Sequence, residues 1–295
     1  GASAGSRNII SGNNGGVVIY GSAAANNQVL GNYIGLNAAG TAAIGNPGNG
    51  IYINGGAHDN TIGGTTAAAR NIISGNGAGG PGPGIYVGYD LNGLTQNNQI
   101  IGNYIGTNPA GTAAIANAYG IQVYGAAGTH IGGTTGVTPG GACTGACNLV
   151  SGNSFGIIIT HKNASGTVVE GNYVGADVTG AAALPNNYGV YVQDTQGVLI
   201  GGVTPAARNL VSGNAIHGFW FFSRVAGTYS PRVRVQGNYI GLNTAGAALG
   251  NSQHGVYLQD AVPATIGGTA TGEANIIANN GADGISAITS AESDI

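Results

Sequence analysis

Methionine is absent from the 295 residues, and charge is nearly so: seven Lys and Arg stand against ten Asp and Glu. The missing Met points to a processed or trimmed piece of a longer product. So few cations exclude a surface built to neutralise nucleic-acid phosphates. Such low charge also excludes a solvated, disordered tail. No apolar run nears the ~18 residues of a membrane helix, so no membrane span is expected. No signal peptide or lipid-anchor motif stands in this stretch. Cysteine occurs twice, as Cys143 and Cys147 in ACTGAC. No second Cys or His pair lies nearby in sequence, so a local disulfide in an oxidising compartment is expected rather than a metal site. No cofactor motif accompanies them.

Glycine is what the chain does have: 59 residues, without the G-X-Y period of collagen. Internal repeats organise it. NIISGN occupies Asn8–Asn13 and Asn71–Asn76, NLVSGN Asn148–Asn153 and Asn209–Asn214, and NIIANN Asn275–Asn280. GNYIG begins at Gly31, Gly102 and Gly237, with GNYVG at Gly171. IGG begins at Ile62, Ile131, Ile200 and Ile266. A fourth element starts with Gly, as in GIYI at Gly50 and GVYV at Gly189. Its nine copies follow one another at 34, 34, 36, 36, 33, 29, 37 and 29 residues. The chain is therefore one array, and residues 1–295 are expected to form a single domain.

Two unit types alternate, one of the form GIYI…NTIGGTT…ARNIISGN and one of the form GVVIY…NNQVLGNYIGLNAAGTAAIGN. Within each, short period-2 runs read as strands with one side chain inward. Val29, Ile34, Ile62 and Ile73 are expected to point inward, and Tyr33 and Ile72 outward. Gly next to Asn allows sharp corners. A corner Asn can hydrogen-bond backbone that no strand ladder satisfies. Asn32, Asn76, Asn103, Asn153, Asn172, Asn214 and Asn238 are the expected rungs of a structural ladder. Gly, Asn and Thr are too dense for helices.

Three short strands per coil, over about nine coils of 29–37 residues, predict an all-β parallel β-helix, or β-solenoid. The right-handed crossover rule makes it right-handed. The repeats resemble those of right-handed parallel β-helix proteins of the pectate-lyase-like superfamily, in particular large secreted bacterial proteins rich in GNYIGT and NVISGN repeats. The resemblance spans essentially the whole chain. It implies an extracellular or cell-surface location and a fold that carries many functions.

Register turns the repeats into columns. Counting from each leading Gly, one outward column holds Val18, Tyr52, Tyr86, Gln122, Ile158, Tyr191, Trp220 and Tyr257. Such a stripe is either a sugar-stacking platform or a ladder of strand-forming residues. Tyr191, Trp220 and Tyr257, with His217 and His254 before their leading glycines, are the candidate carbohydrate-binding residues. The Tyr33, Tyr104, Tyr173 and Tyr239 column is uniform and reads as structural. So do Arg7, Arg70 and Arg208, each preceding the Asn of NIISGN or NLVSGN.

Polar groups gather late in the array. Thr160-His161-Lys162, Gln193-Asp194, Phe222-Ser223-Arg224 and Gln259-Asp260 stand where early units carry Tyr20-Gly21, Asn54-Gly55 and Tyr124-Gly125. Asp194 and Asp260 are two coils apart, roughly 10 Å at ~4.8 Å per coil. That approximates the carboxylate spacing of an inverting glycosidase. In this enzymatic reading one Asp is the general acid and the other the general base. His161 lies beside them, and Lys162 and Arg224 bind an acidic sugar. The resemblance implies a similar arrangement, since polygalacturonase-like enzymes use paired aspartates, a His and a basic pair on that face. Their adjacent Asp-Asp is absent here, as is a carboxylate cluster for Ca²⁺.

The chain starts and ends inside a unit, so open ends are expected at both. Two expectations follow: the chain is part of a longer solenoid, or its ends dock head to tail on copies of itself, giving filaments. The first functional expectation is an extracellular structural or adhesive solenoid. A polysaccharide hydrolase or lyase on the Asp194/Asp260 face comes second. A glycan-binding solenoid without catalysis comes third.

Overall fold

The short apolar runs between Gly-Asn corners all become strands. The computed structural model describes residues 1, 4–77, 79–88, 94–223, 232–260 and 264–288. Among them are three parallel sheets, of nine, nine and eight strands. Successive strands of each sheet come from successive coils, so the chain is an all-β parallel β-solenoid with three strands per coil. Among the described residues the only helical pieces are single 3₁₀ turns at Ala4–Ser6 and Pro205–Ala207.

The leading-Gly motif supplies the long-strand sheet, from Val17–Tyr20 through Tyr119–Tyr124 and Phe155–Thr160 to Ile285–Ile288. NYIG and NIIS alternate in the second sheet, in two-residue strands such as Tyr33–Ile34 and Ile72–Ile73. The third sheet holds the IGG strands, such as Thr61–Gly63 and His130–Gly132. Identical register in every coil puts like residues in columns. Val17 pairs with Ile51, Ile121 with Ile157, and Phe219 with Val256.

Inward columns of Ile, Val, Leu and Phe fill the lumen. Ile34, Ile62 and Ile73 are fully buried there, Val29 packs on its edge, and Phe219 and Phe221 enlarge it in a late coil. Burying such side chains contributes about 1.5–3 kcal/mol each. Tyr33 and Ile72 do leave the lumen, yet they are only 7% and 4% exposed. They belong to a second apolar layer outside the coil, with Leu36, Tyr104, Cys143, Cys147, Leu149, Tyr173 and Leu210.

Asparagine carries the corners. Seven expected rungs fall on two separate ladders, not one. In the first, Asn8, Asn32, Asn71, Asn103, Asn148, Asn172, Asn209, Asn238 and Asn275 donate Nδ2–H to the Oδ1 of the next at 2.9–3.1 Å. In the second, the same bonds join Asn46, Asn76, Asn117, Asn153, Asn186, Asn214, Asn251 and Asn280 at 2.8–3.2 Å. Every bond from one Asn side chain to the next runs toward the C-terminal side. From Asn46 and Asn71 onward the second N–H of each amide is spent on backbone: Asn117 Nδ2, for example, also donates to the Ile73 carbonyl at 2.9 Å. Buried carbonyls at the turns are thereby satisfied. The ladder also explains the leading glycine. A Cβ at Gly156 would lie 2.5 Å from the Gly189 carbonyl oxygen and 3.0 Å from Asn186 Nδ2.

Alternate coils add an outer hairpin between the ladders. Bridges Leu36↔Ala43, Thr107↔Ala114, Ala176↔Ala183 and Leu242↔Ala248 close them. Asn37 Oδ1 accepts from Thr41 N, Asn108 Oδ1 from Thr112 N, and Asp177 Oδ1 from Ala181 N. The hairpins reach past the plain coil between them: Val178 N donates to Gly111 O at 2.9 Å and Thr244 N to Gly180 O at 3.2 Å.

Candidate functional site

The outward stripe has the register its spacing implies, with Tyr52 paired to Tyr86, Ile158 to Tyr191, Tyr191 to Trp220 and Trp220 to Tyr257. Ile158 is an exception to outward exposure, at 6%. It is flanked by a second column of Tyr119, Phe155, Tyr188, His217 and His254. The two columns form one aromatic pavement. Ring orientation decides what it can do. Tyr52 and Tyr86 lie 5.2 Å apart at 8°, Phe155 and Tyr188 4.8 Å apart at 18°, and His254 and Tyr257 5.3 Å apart at 8°. Rings stacked this closely cover one another's faces, whereas a sugar needs an open face. Trp220 differs, inclined 55° to Tyr191 and 35° to Tyr188.

Polar groups frame Trp220. Its Nε1–H donates to Gln259 Oε1 at 3.2 Å. Tyr191 donates its hydroxyl proton to Gln193 Oε1 at 2.8 Å, and Gln193 Nε2 donates to Asp194 Oδ2 at 3.0 Å. Sequence reasoning grouped Gln193 and Gln259 with the aspartates without giving them a role. Their place beside the aromatic column was the available signal.

His217 is buried between aromatic neighbours, 4.7 Å from Tyr257 and 5.2 Å from His254. Burial first, and His254 second, hold its pKa down to about 4. Neutral His217 then accepts at Nδ1 from His254 N at 3.3 Å, and His254 Nδ1 accepts from Asp283 N at 3.2 Å. The two imidazoles cap the backbone of the following coil, and this occupies the Nδ1 of each.

His161, Asp194, Ser223 and Asp260 occupy one corner in consecutive coils. Their backbone N–H groups donate to Gln193, Phe222, Gln259 and Ile288 respectively. Gly21, Gly55 and Gly125 fill the same corner earlier. The corner favours a left-handed backbone: φ is +97°, +69° and +67° at those glycines, +80° at His161, +48° at Asp194 and +50° at Asp260, with Ser223 outside that region. Asp tolerates this region better than most residues. Backbone geometry thus accounts for both aspartates without catalysis. Ser223 stands between them and donates to Asp194 Oδ1 at 3.4 Å. His161 packs 5.3 Å from Tyr124, and its pKa is lowered by burial and then by Lys162, against the opposing pull of Asp194. Lys162 is exposed. Arg224 lies outside the described residues. No group of three or more His, Cys, Asp or Glu side chains placed to hold a metal occurs among the described residues.

The opposite side of the coil carries the outer layer. Arg7, Arg70 and Arg208 place their guanidinium carbons 4.1, 4.0 and 3.9 Å from the ring centroids of Tyr33, Tyr104 and Tyr239. Arg70 and Arg208 also donate Nε–H to the carbonyls of Gly102 and Gly237. In the coil between those two, Cys147 takes the arginine's place before the ladder Asn. There the connection lengthens: 17 positions separate Ile131 from Asn148, against nine from Ile62 to Asn71. A Cys143–Cys147 disulfide rings the last part of the extra loop, both residues being 1% exposed or less. Tyr104 and Tyr173 donate their hydroxyl protons to the loop carbonyls of Cys143 and Gly141. Burial raises the Tyr173 pKa to about 12.

No family model, no curated protein and no solved structure matches the chain.

Proposed function

We propose that the chain is an axial segment of an extracellular structural and adhesive β-solenoid, stacking head to tail on copies of itself. The observation that carries this reading is the pair of carboxamide ladders. They run unbroken through the coils, and every Asn-to-Asn bond points the same way. Among the described residues, Asn8 and Asn13 (the latter's backbone N–H and amide reach Asn46 Oδ1 at 2.9 and 3.5 Å) leave Oδ1 acceptors on the N-terminal face, and Asn275 and Asn280 carry donors on the C-terminal face. Like faces would set acceptor on acceptor; unlike faces continue the ladder. Exposed Ile9, Val18, Ile276 and Ile288 at the two ends add apolar area to such a contact. A buried disulfide fits an oxidising compartment, and the likeness of the repeats to secreted bacterial repeat proteins supports the same location.

Electron microscopy across a concentration series tests it. The expected result is fibres of uniform width with an axial repeat near ~45 Å, about nine coils at ~4.8 Å. Dispersed short rods at every concentration would sink it.

Adhesion through glycans is the second reading, favoured by the inclined Trp220 with Gln193 and Gln259 beside it. Trp220→Ala should abolish binding to polysaccharides that the parent retains. Unchanged binding removes the pavement from consideration. The paired aspartates lend the enzymatic reading no separate support, since their corner accounts for them.

A further inference from the structure

The disulfide-closed loop and Arg208 make a site of their own, on the side of the coil away from the aromatic pavement. The loop overhangs the outer layer for several coils. Val137, Pro139 and Gly140 from the loop, Tyr173, Pro205 and Leu210 beneath and beside it, and the Arg208–Tyr239 pair line one small slot. Tyr173 and Leu210 are buried and form its floor, while Pro139 and Pro205 are exposed at its rim.

Arg208 is fixed there twice. Its guanidinium lies 3.9 Å over Tyr239, and its Nε–H is given to the Gly237 carbonyl at 3.2 Å. Those two contacts orient the plane. Among the described residues no carboxylate pairs with it, and its terminal Nη groups have no acceptor. A guanidinium held flat on an aromatic ring, with its fork unspent, is suited to a carboxylate. A narrow apolar slot beside a lone oriented cation selects an amphipathic anion over a fully polar one. Arg7 repeats the clamp on Tyr33 far from the loop, so it offers the charge without the slot.

We propose that the slot between the loop segment 137–140, just before the disulfide, and Arg208 binds a small apolar group that bears a carboxylate. The apolar part displaces water from Tyr173 and Leu210, and the carboxylate takes both Nη donors of Arg208. This assignment stands whether or not the rods stack.

Titration of the full chain with 4-methylpentanoate, followed by NMR or calorimetry at neutral pH, tests the site. Its uncharged isostere, 4-methylpentanamide, is the paired probe. The acid is expected to bind saturably and at least tenfold more tightly than the amide. Arg208→Gln should weaken the acid at least tenfold, while Arg7→Gln leaves it unchanged. Equal affinity for acid and amide would overturn the proposal. So would absence of saturable binding, or full binding by Arg208→Gln. The acid–amide comparison uses the parent chain, so the test survives if Arg208→Gln fails to fold.

Discussion

Two corners of the same coil behave in opposite ways. At the second-ladder corner the residue is Asn in coil after coil, from Asn46 to Asn280. At the corner after the long strand, among the described residues, it is Gly, Gly, Gly, His, Asp, Ser and Asp at residues 21, 55, 125, 161, 194, 223 and 260. Both are tight turns. The first must satisfy buried backbone groups of its own coil and its neighbour, and a carboxamide supplies two donors and an acceptor in one short side chain. The second asks for a backbone conformation and little else. Repetition is strict where hydrogen bonds are owed and loose where only φ is constrained. Chemistry can therefore vary at the second corner without cost to the rod.

The largest test of this contrast is Asn117→Ala. Asn117 is 2% exposed and makes hydrogen bonds with Asn76, Ile73 and Asn153. At about 1–3 kcal/mol for each stranded group, a loss of about 4 kcal/mol is expected in denaturant unfolding. Asp194→Gly at the other corner should move stability by about 1 kcal/mol or less, since relief of the left-handed backbone offsets a lost hydrogen bond. Equal losses at both sites would break the distinction. Cys143→Ser with Cys147→Ser should cost about 2 kcal/mol, the loop-entropy value for so short a ring. Hydrogen exchange should show the loss concentrated around the loop and Tyr173.

A pH series comes next in size. The folded chain holds His217 near 4, against 6.5 for a free imidazole. Between those values the unfolded chain binds more protons, so stability falls as pH falls from about 6.5 toward 4, with no slope from this group above that window. His217→Phe keeps an aromatic stack and should flatten the slope. A slope that survives the substitution assigns it elsewhere. Smallest is Arg70→Ala, where a partly exposed cation–π contact contributes about 0.5–1 kcal/mol.

Much of this architecture is legible in the residues. Period-2 runs ending in Gly-Asn predict strand, corner and column, and the aromatic stripe falls in the register its spacing predicts. The second ladder was harder to see. Asn46, Asn117 and Asn186 stand 14 residues after the Asn of NYIG or NYVG and Asn251 13 after it, but an outer hairpin fills the interval, so the spacing alone does not say that they rejoin the ladder. Tyr33 and Ile72 show the other limit. Alternation says which side of a strand a residue takes, but not that a hairpin, a loop and an arginine will cover it. The candidate site was legible as columns only. Whether rings face each other or solvent depends on side-chain torsions, which no spacing encodes.

The outer hairpins carry a consequence for how such a rod changes length. Each touches the next hairpin across an intervening plain coil, as Val178 does Gly111 and Thr244 does Gly180. Deleting one coil would set a hairpin against a plain turn and strand both contacts. Deleting two leaves every contact as it was. The GNYIG copies, 71, 69 and 66 residues apart, mark that interval. The quantum of growth is the coil pair, and viable variants of this rod should differ in length by steps of about 10 Å.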